Sequence, residues 1–197
     1  MIASMIIHEL GHLFFGLISG YHLLYIKILG ITIEKTDVNG LRIRFYRKGA
    51  LGQCMMYPKR NTTDSYPNYY IIGGILFNTL FGIVFIIMAI ILKHVFIRML
   101  FLAWGSINIY LAVFNMFLGS ETSDGKTFME VIREEKNREY YNRLMIIYKY
   151  LKEGKKYSDM PEELFVIIED LKDSQYCIKR EMYMHRINYL TQNKGRT

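Results

Sequence analysis

Two apolar blocks, YYIIGGILFNTLFGIVFIIMAIIL at 69–92 and VFIRMLFLAWGSINIYLAVFNMFLG at 95–119, constrain this chain more than any other feature. A helix rising 1.5 Å per residue needs about 20 apolar residues to cross a hydrocarbon core of about 30 Å, and each block supplies them. Both read as transmembrane helices joined by a short hairpin. The opening stretch, residues 1–19, is similarly apolar apart from its histidines and Glu9. It has no basic leader and no small-residue cleavage site, so it reads as a third embedded helix and not as a signal peptide.

Three spans place the loop 20–69 and everything after 125 on one side of the bilayer. That side is basic: the loop carries Lys27, Lys35, Arg42, Arg44, Arg47, Lys48, Lys59 and Arg60, whereas the hairpin between the long spans has only Lys93 and Arg98. The positive-inside rule makes the basic side cytoplasmic and the amino terminus external. A net charge of +7 laid out in this way suits anionic lipid headgroups and not nucleic acid. Cys54 and Cys177 fall on the cytoplasmic side, where thiols stay reduced.

Between the first two spans, ITIEKTDVNGLRIRF reads as β-favouring runs around the turn dipeptide Asn39-Gly40, a hairpin lying at the membrane interface within 31–57. The polar segment 58–68 reads as a connector. After Lys126 the chain becomes a soluble helical appendage. One helix runs through TFMEVIREEKNREYYNRLMIIYKYLK to the stop signal Gly154. A second starts near Ser158 or Asp159 with Pro161 in its first turn, and a last one spans about 174–192. The expected fold is a mainly α polytopic membrane protein of about three spans. It divides into an embedded core, 1–125, with a small interfacial β-hairpin, and a cytoplasmic helical tail, 126–197, which stabilises the core or recruits a cytoplasmic partner.

The first helix carries HELGH at 8–12. Residues i and i+4 share a helix face, so His8 and His12 can aim ring nitrogens at one cation, and Glu9 projects beside them as a proton acceptor. This is the H-E-x-x-H pattern of zinc hydrolases, in which zinc brings the pKa of a water to about 7. Each ionisable group in a membrane helix costs on the order of 2.5–3.5 kcal/mol on insertion scales, and three within five residues call for a compensating partner such as a metal. A catalytic zinc also takes a third protein ligand. His22, His94 and His185 are poorly placed in the sequence to supply it, and Asp124, after the irregular run Gly119–Ser123, is the better candidate.

HELGH in a first core helix, a G-x-x-x-N element within GGILFNTLFG, and an Asn…Asp-Gly segment after a third helix together resemble the site-2 protease family of intramembrane zinc metalloproteases, over residues 1–130. The resemblance implies that His8, His12 and Asp124 ligate one zinc per chain and that Glu9 is the general base. It further implies that Gly74, Asn78 and Asn115 line the substrate cleft, and that the 31–57 loop holds a membrane-associated sheet against which an extended substrate pairs. The run Asn115-Met116-Phe117-Leu118 lacks the proline usual in the family, and the spacing to Asp124 is one residue longer. Only seven residues precede His8, which places it about 10 Å from the outer end of its helix while Asp124 follows the inner end of the third. The two meet if the first helix sits low, if the Asp124 segment folds back, or if an upstream segment is missing. The expected activity is zinc-dependent cleavage of membrane-inserted peptides or single-span proteins. The alternative is a catalytically inactive zinc-binding membrane scaffold, and a zinc transporter would need ligands along two or more spans.

Overall fold

The computed structural model describes residues 1–36, 40–45, 51–59, 65–167 and 174–193. It is mainly helical, with one antiparallel sheet. Helix α1, Ile2–Ile18, ends at Gly20, whose φ of +82° turns the chain into strand β1, Tyr21–Ile28. Leu29 and Gly30, both at positive φ, make the two-residue turn into β2, Ile31–Thr36, which pairs with β3, Gly40–Phe45. Strand β4, Gly52–Pro58, then returns along the other side of β1, giving the order β3-β2-β1-β4. The expected hairpin is thus half of a larger sheet. Strands β1 and β4 are absent from the sequence reading because neither alternates cleanly: both carry mixed apolar runs whose pairing is long-range. Asn39, expected in the turn, lies outside the described residues, as do Arg47, Lys48 and Arg60.

Helices α2, Asn68–Ile91, and α3, Val95–Val113, form an antiparallel hairpin. With the π-helical turn Phe114–Leu118 that continues α3, each is 24 residues long and apolar enough to cross a membrane. Helix α1 is shorter, at 17 residues. It crosses α2 where Gly11 meets Gly73: a Cβ on either would stand within 2.6 Å of the other's carbonyl oxygen. Asn108 Nδ2 donates to Ser4 Oγ at 3.1 Å, tying the start of α1 to the second half of α3. So α1 sits low, beside the first half of α2, and the far half of the α2–α3 hairpin exposes Ile87, Ile90, Ile91, Val95 and Phe96.

The segment expected to be one tail helix is two, α4 at Asp124–Arg133 and α5 at Glu135–Lys152, broken at Glu134, whose backbone is extended. The helix expected from Ser158 is instead a pair of single 3₁₀ turns, at Tyr157–Asp159 and Glu162–Phe165, and 168–173 lie outside the described residues. Pro161 separates the two turns; lacking an N–H, it cannot continue the first. The last helix, α6 at Cys177–Asn193, matches its expected span, and the Glu130 carboxylate accepts from the Cys177 and Ile178 N–H groups at its start.

The tail is packed, not appended. Leu144, Ile147 and Met182 join Tyr21, Met56 and Tyr70 in one buried cluster. Fully buried Asn142 of α5 accepts from Tyr21 Oη at 2.6 Å and donates to the Ser65 carbonyl at 2.9 Å, locking α5 to the start of β1 and the entry to α2. Replacing Gly73 by alanine forces α1 and α2 apart against backbone atoms, which have no rotamer to yield. The expected loss is about 1–3 kcal/mol, read as a lowered melting temperature of the purified protein.

Candidate metal centre

One face of α1 presents His8 and His12 one turn apart, and α4 opens with Asp124. Their donor atoms converge: His8 Nε2 lies 3.1 Å from His12 Nε2, and Asp124 Oδ2 lies 2.9 Å from the first and 3.3 Å from the second. Four ligands held at about 2.0–2.1 Å in a tetrahedron stand roughly 3.3 Å apart, so three donors of the types zinc prefers already have the right separation. Among the described residues this is the one group of three or more acidic, His or Cys side chains so arranged. Glu9, buried beside it, is not a fourth donor. Its carboxylate accepts from the Cys54 N–H and fills the space in front of Gly52, where a Cβ would come within 2.5 Å of Oε1.

Asp124 arrives by a specific backbone device. The turn Phe114–Leu118 is π-helical, one residue wider than an α turn, and it ends α3. Gly119–Ser123 then reverse the chain, and Gly125 packs so tightly on the Met116 carbonyl that a Cβ would meet it at 2.2 Å. An alanine there would push Asp124 away from the histidines. As a carboxylate, an anion at neutral pH, Asp124 supplies the charge a divalent metal requires.

The remaining nitrogens of the two imidazoles are tied from α2. His12 Nδ1 donates to the Tyr70 carbonyl at 2.8 Å, which leaves the Nε2 lone pair facing the donor cluster. Asn78, fully buried, sets its amide against His8 Nδ1 at 3.2 Å while its Oδ1 has no partner. Turning the amide over lets Oδ1 accept from His8 Nδ1–H, which satisfies the orphaned oxygen and gives His8 the same tautomer as His12. Gly74 stands behind both rings: a Cβ there would come within 2.6 Å of His8 and His12. Two convergent imidazoles, a carboxylate and a cradle with no room for a side chain together fit a zinc ion.

A cavity of about 1040 Å³ opens on this cluster, walled by α1, β4, α2 and the π turn. Of the residues expected at a substrate cleft, Asn78 and Asn115 line it, and Gly74 does not. His22, His94 and His185 lie elsewhere: His22 stacks near Tyr57, and His185 is hydrogen-bonded to Tyr157. Sequence reasoning missed Tyr70, Gly52, Tyr141, Tyr148 and Glu181. The Tyr70 hydroxyl donates to the Cys54 carbonyl at 2.8 Å and accepts from Met56 N–H at 3.3 Å, so one residue holds both a ligand and the edge strand. Its role rests on a backbone carbonyl and a cross-chain contact, which leave no sequence signal. Tyr141, Tyr148 and Glu181 bring the tail into the cavity wall. Burial, followed by the Glu9 charge, pushes the Cys54 thiol up, and Cys54 is not among the converging donors.

Comparison with family models, with curated proteins and with solved structures yields no match. The function therefore rests on the site itself. In a chelator competition, His12→Ala and Asp124→Ala are expected to abolish stoichiometric zinc binding. Asn78→Leu weakens it about 10–100-fold, and Asn78→Asp, which keeps an acceptor on His8, recovers most of the loss.

Proposed function

We propose that the protein is an intramembrane zinc endopeptidase of the site-2 protease type, hydrolysing peptide bonds in membrane-inserted peptides or single-span proteins. The observation that carries the reading is the position of Glu9: a buried carboxylate beside three convergent metal donors, on the cavity side, and not itself one of them. In a scaffold that kept metal for structure alone, the same acid would serve only to hold the Cys54 N–H of β4.

What supports the membrane setting is exposed apolar surface. Only 28% and 17% of the two long apolar stretches are buried within the molecule, far too little for core helices of a water-soluble protein. The β2–β3 ribbon adds to it. Its cross-strand pairs Ile31–Phe45 and Ile33–Ile43 share one face, where Ile31, Ile43 and Phe45 are exposed, whereas Thr32–Arg44 and Glu34–Arg42 share the other. Such a ribbon suits the bilayer interface, on the cytoplasmic side that the basic residues indicate. The protein is then multi-pass, with α2 and α3 spanning and α1 reaching part of the depth, where its histidines meet Asp124.

His8, His12 and Asp124 would hold the zinc, which would supply Lewis acidity toward a carbonyl and toward water at neutral pH. The chain's own residues do the rest. Glu9, fixed by the Cys54 N–H, takes the proton of the attacking water and returns it to the leaving amine. Asn115, on the cavity wall, is placed to hydrogen-bond substrate backbone. An extended substrate pairs along β4 only towards its Gly52 end. Farther along this edge the Cys54 N–H and C=O and the Met56 N–H are already taken by Glu9 and Tyr70. Pairing of that kind stabilises the unwound peptide that hydrolysis needs.

The test is Glu9→Gln. The variant is expected to bind zinc as the wild type does and to lose cleavage of a single-span reporter by about 10²–10⁴-fold, as removal of a general base does. Equal zinc with equal cleavage refutes the role of Glu9, and zinc in both with cleavage in neither, across a library of single-span reporters, favours the scaffold.

A further inference from the structure

A second concavity, about 950 Å³, lies between the polar face of the sheet and α5. Its charge is one-sided: Lys27, Lys35, Arg42, Arg44, Lys149 and Lys152 line it against Glu34 and Glu153. Glu34 is committed to Arg44 at 2.9 Å and Lys152 at 2.8 Å, and Glu153 lies 3.6 Å from Lys149 and 3.5 Å from Lys155. The excess is positive. Burial, followed by the charges of Lys59, Lys35 and Lys149, pushes the His22 imidazole at its rim below the usual range, as a positive field requires. On its wall Thr32, 3% exposed, has a hydroxyl with no hydrogen-bond partner. A built donor without an acceptor, set among cations, is half of a site for an anion.

The groove is not separate from the metal cavity. Tyr25, Gln53, Met55 and Tyr148 line both. A peptide that pairs at the Gly52 end of β4 and continues past Gln53 leaves the cavity into the groove, over a wall of two tyrosines and a methionine. We infer that the substrate carries an acidic stretch beside the scissile bond, and that this stretch docks in the groove between the sheet and α5, with Arg42, Lys149 and the Thr32 hydroxyl receiving its carboxylates. The inference rests on the peptidase reading for what the cavity holds, and it names the substrate class that reading leaves open. It also gives the tail a role, since α5 supplies one bank of the groove.

Binding is read without cleavage, on the full-length Glu9→Gln protein in neutral detergent. The probes are fluorescent peptides with one apolar segment followed by a run of Glu, Gln or Lys, followed by anisotropy. The Glu peptide is expected to bind about tenfold tighter than the Gln peptide at low ionic strength. The preference should vanish near 1 M salt, where the screening length is about 3 Å. It should also vanish in the Arg42→Glu/Lys149→Glu variant, which instead gains affinity for the Lys peptide. Lys93→Glu/Arg98→Glu, at the opposite end of the helices, is the control and should keep the preference; melting temperatures check that both variants fold. Equal affinity for Glu and Gln peptides overturns the proposal, as does an equal loss in the control. Dependence on Arg42 and Lys149 for phosphatidylserine nanodiscs but not for the Glu peptide overturns it in favour of lipid headgroups. Selective binding by a protein whose wild type shows no zinc-dependent cleavage supports the groove and counts against the peptidase reading alone.

Discussion

The contact of Gly11 with Gly73 is where this structure is decided. Two helix backbones approach until neither can carry a side chain, and the approach brings the Tyr70 carbonyl and the Asn78 amide of α2 within hydrogen-bond reach of the two imidazoles of α1. In the membrane setting proposed above the hydrophobic effect offers little between helices, so close packing of small residues and interhelical hydrogen bonds have to do the holding. Here the same crossing that joins the helices also selects the tautomer of each histidine. The metal centre and the helix interface are one piece of packing.

Tyr70 extends that unit to the sheet. Its carbonyl holds His12, its hydroxyl holds the outward groups of Cys54 and Met56, and its ring stacks on Tyr21, whose own hydroxyl reaches Asn142 of α5. Strand β4 is an edge strand, and an unprotected edge recruits other strands indiscriminately. On the proposed peptidase reading, pinning its middle to α1 and α2 leaves the Gly52 end, beside Glu9, as the place for an extended peptide. An edge that would be a liability along its whole length becomes selective over a short part of it.

The tail changes meaning once its contacts are known. By composition it is a soluble helical appendage; in the fold, α5 closes the metal cavity on one flank through Tyr141 and Tyr148 and banks the basic groove on the other through Lys149 and Lys152. The first 125 residues and the tail share buried residues and two concavities, so charge that reads in the sequence as a generic basic surface is gathered along one groove.

Much of this was legible in the residues alone. The i, i+4 histidines with an adjacent glutamate specify a ligand pair because helix geometry is local, and the two long apolar blocks specify their helices because length and composition suffice. Asp124 was reachable through its place after the third helix. What the chain by itself could not express is everything set by contacts between distant segments. The pairing of β4 with β1, the low seat of α1 and the service of Tyr70 to both ligand and strand depend on contacts between distant segments, such as Tyr70 with Met56, 14 residues away, or Tyr21 with Asn142, 121 away. Local spacing determined which atoms were able to bind a metal; only the tertiary packing decided that they face one another, because the separations between α1, α2 and α4 are fixed by backbone contact and not by sequence period.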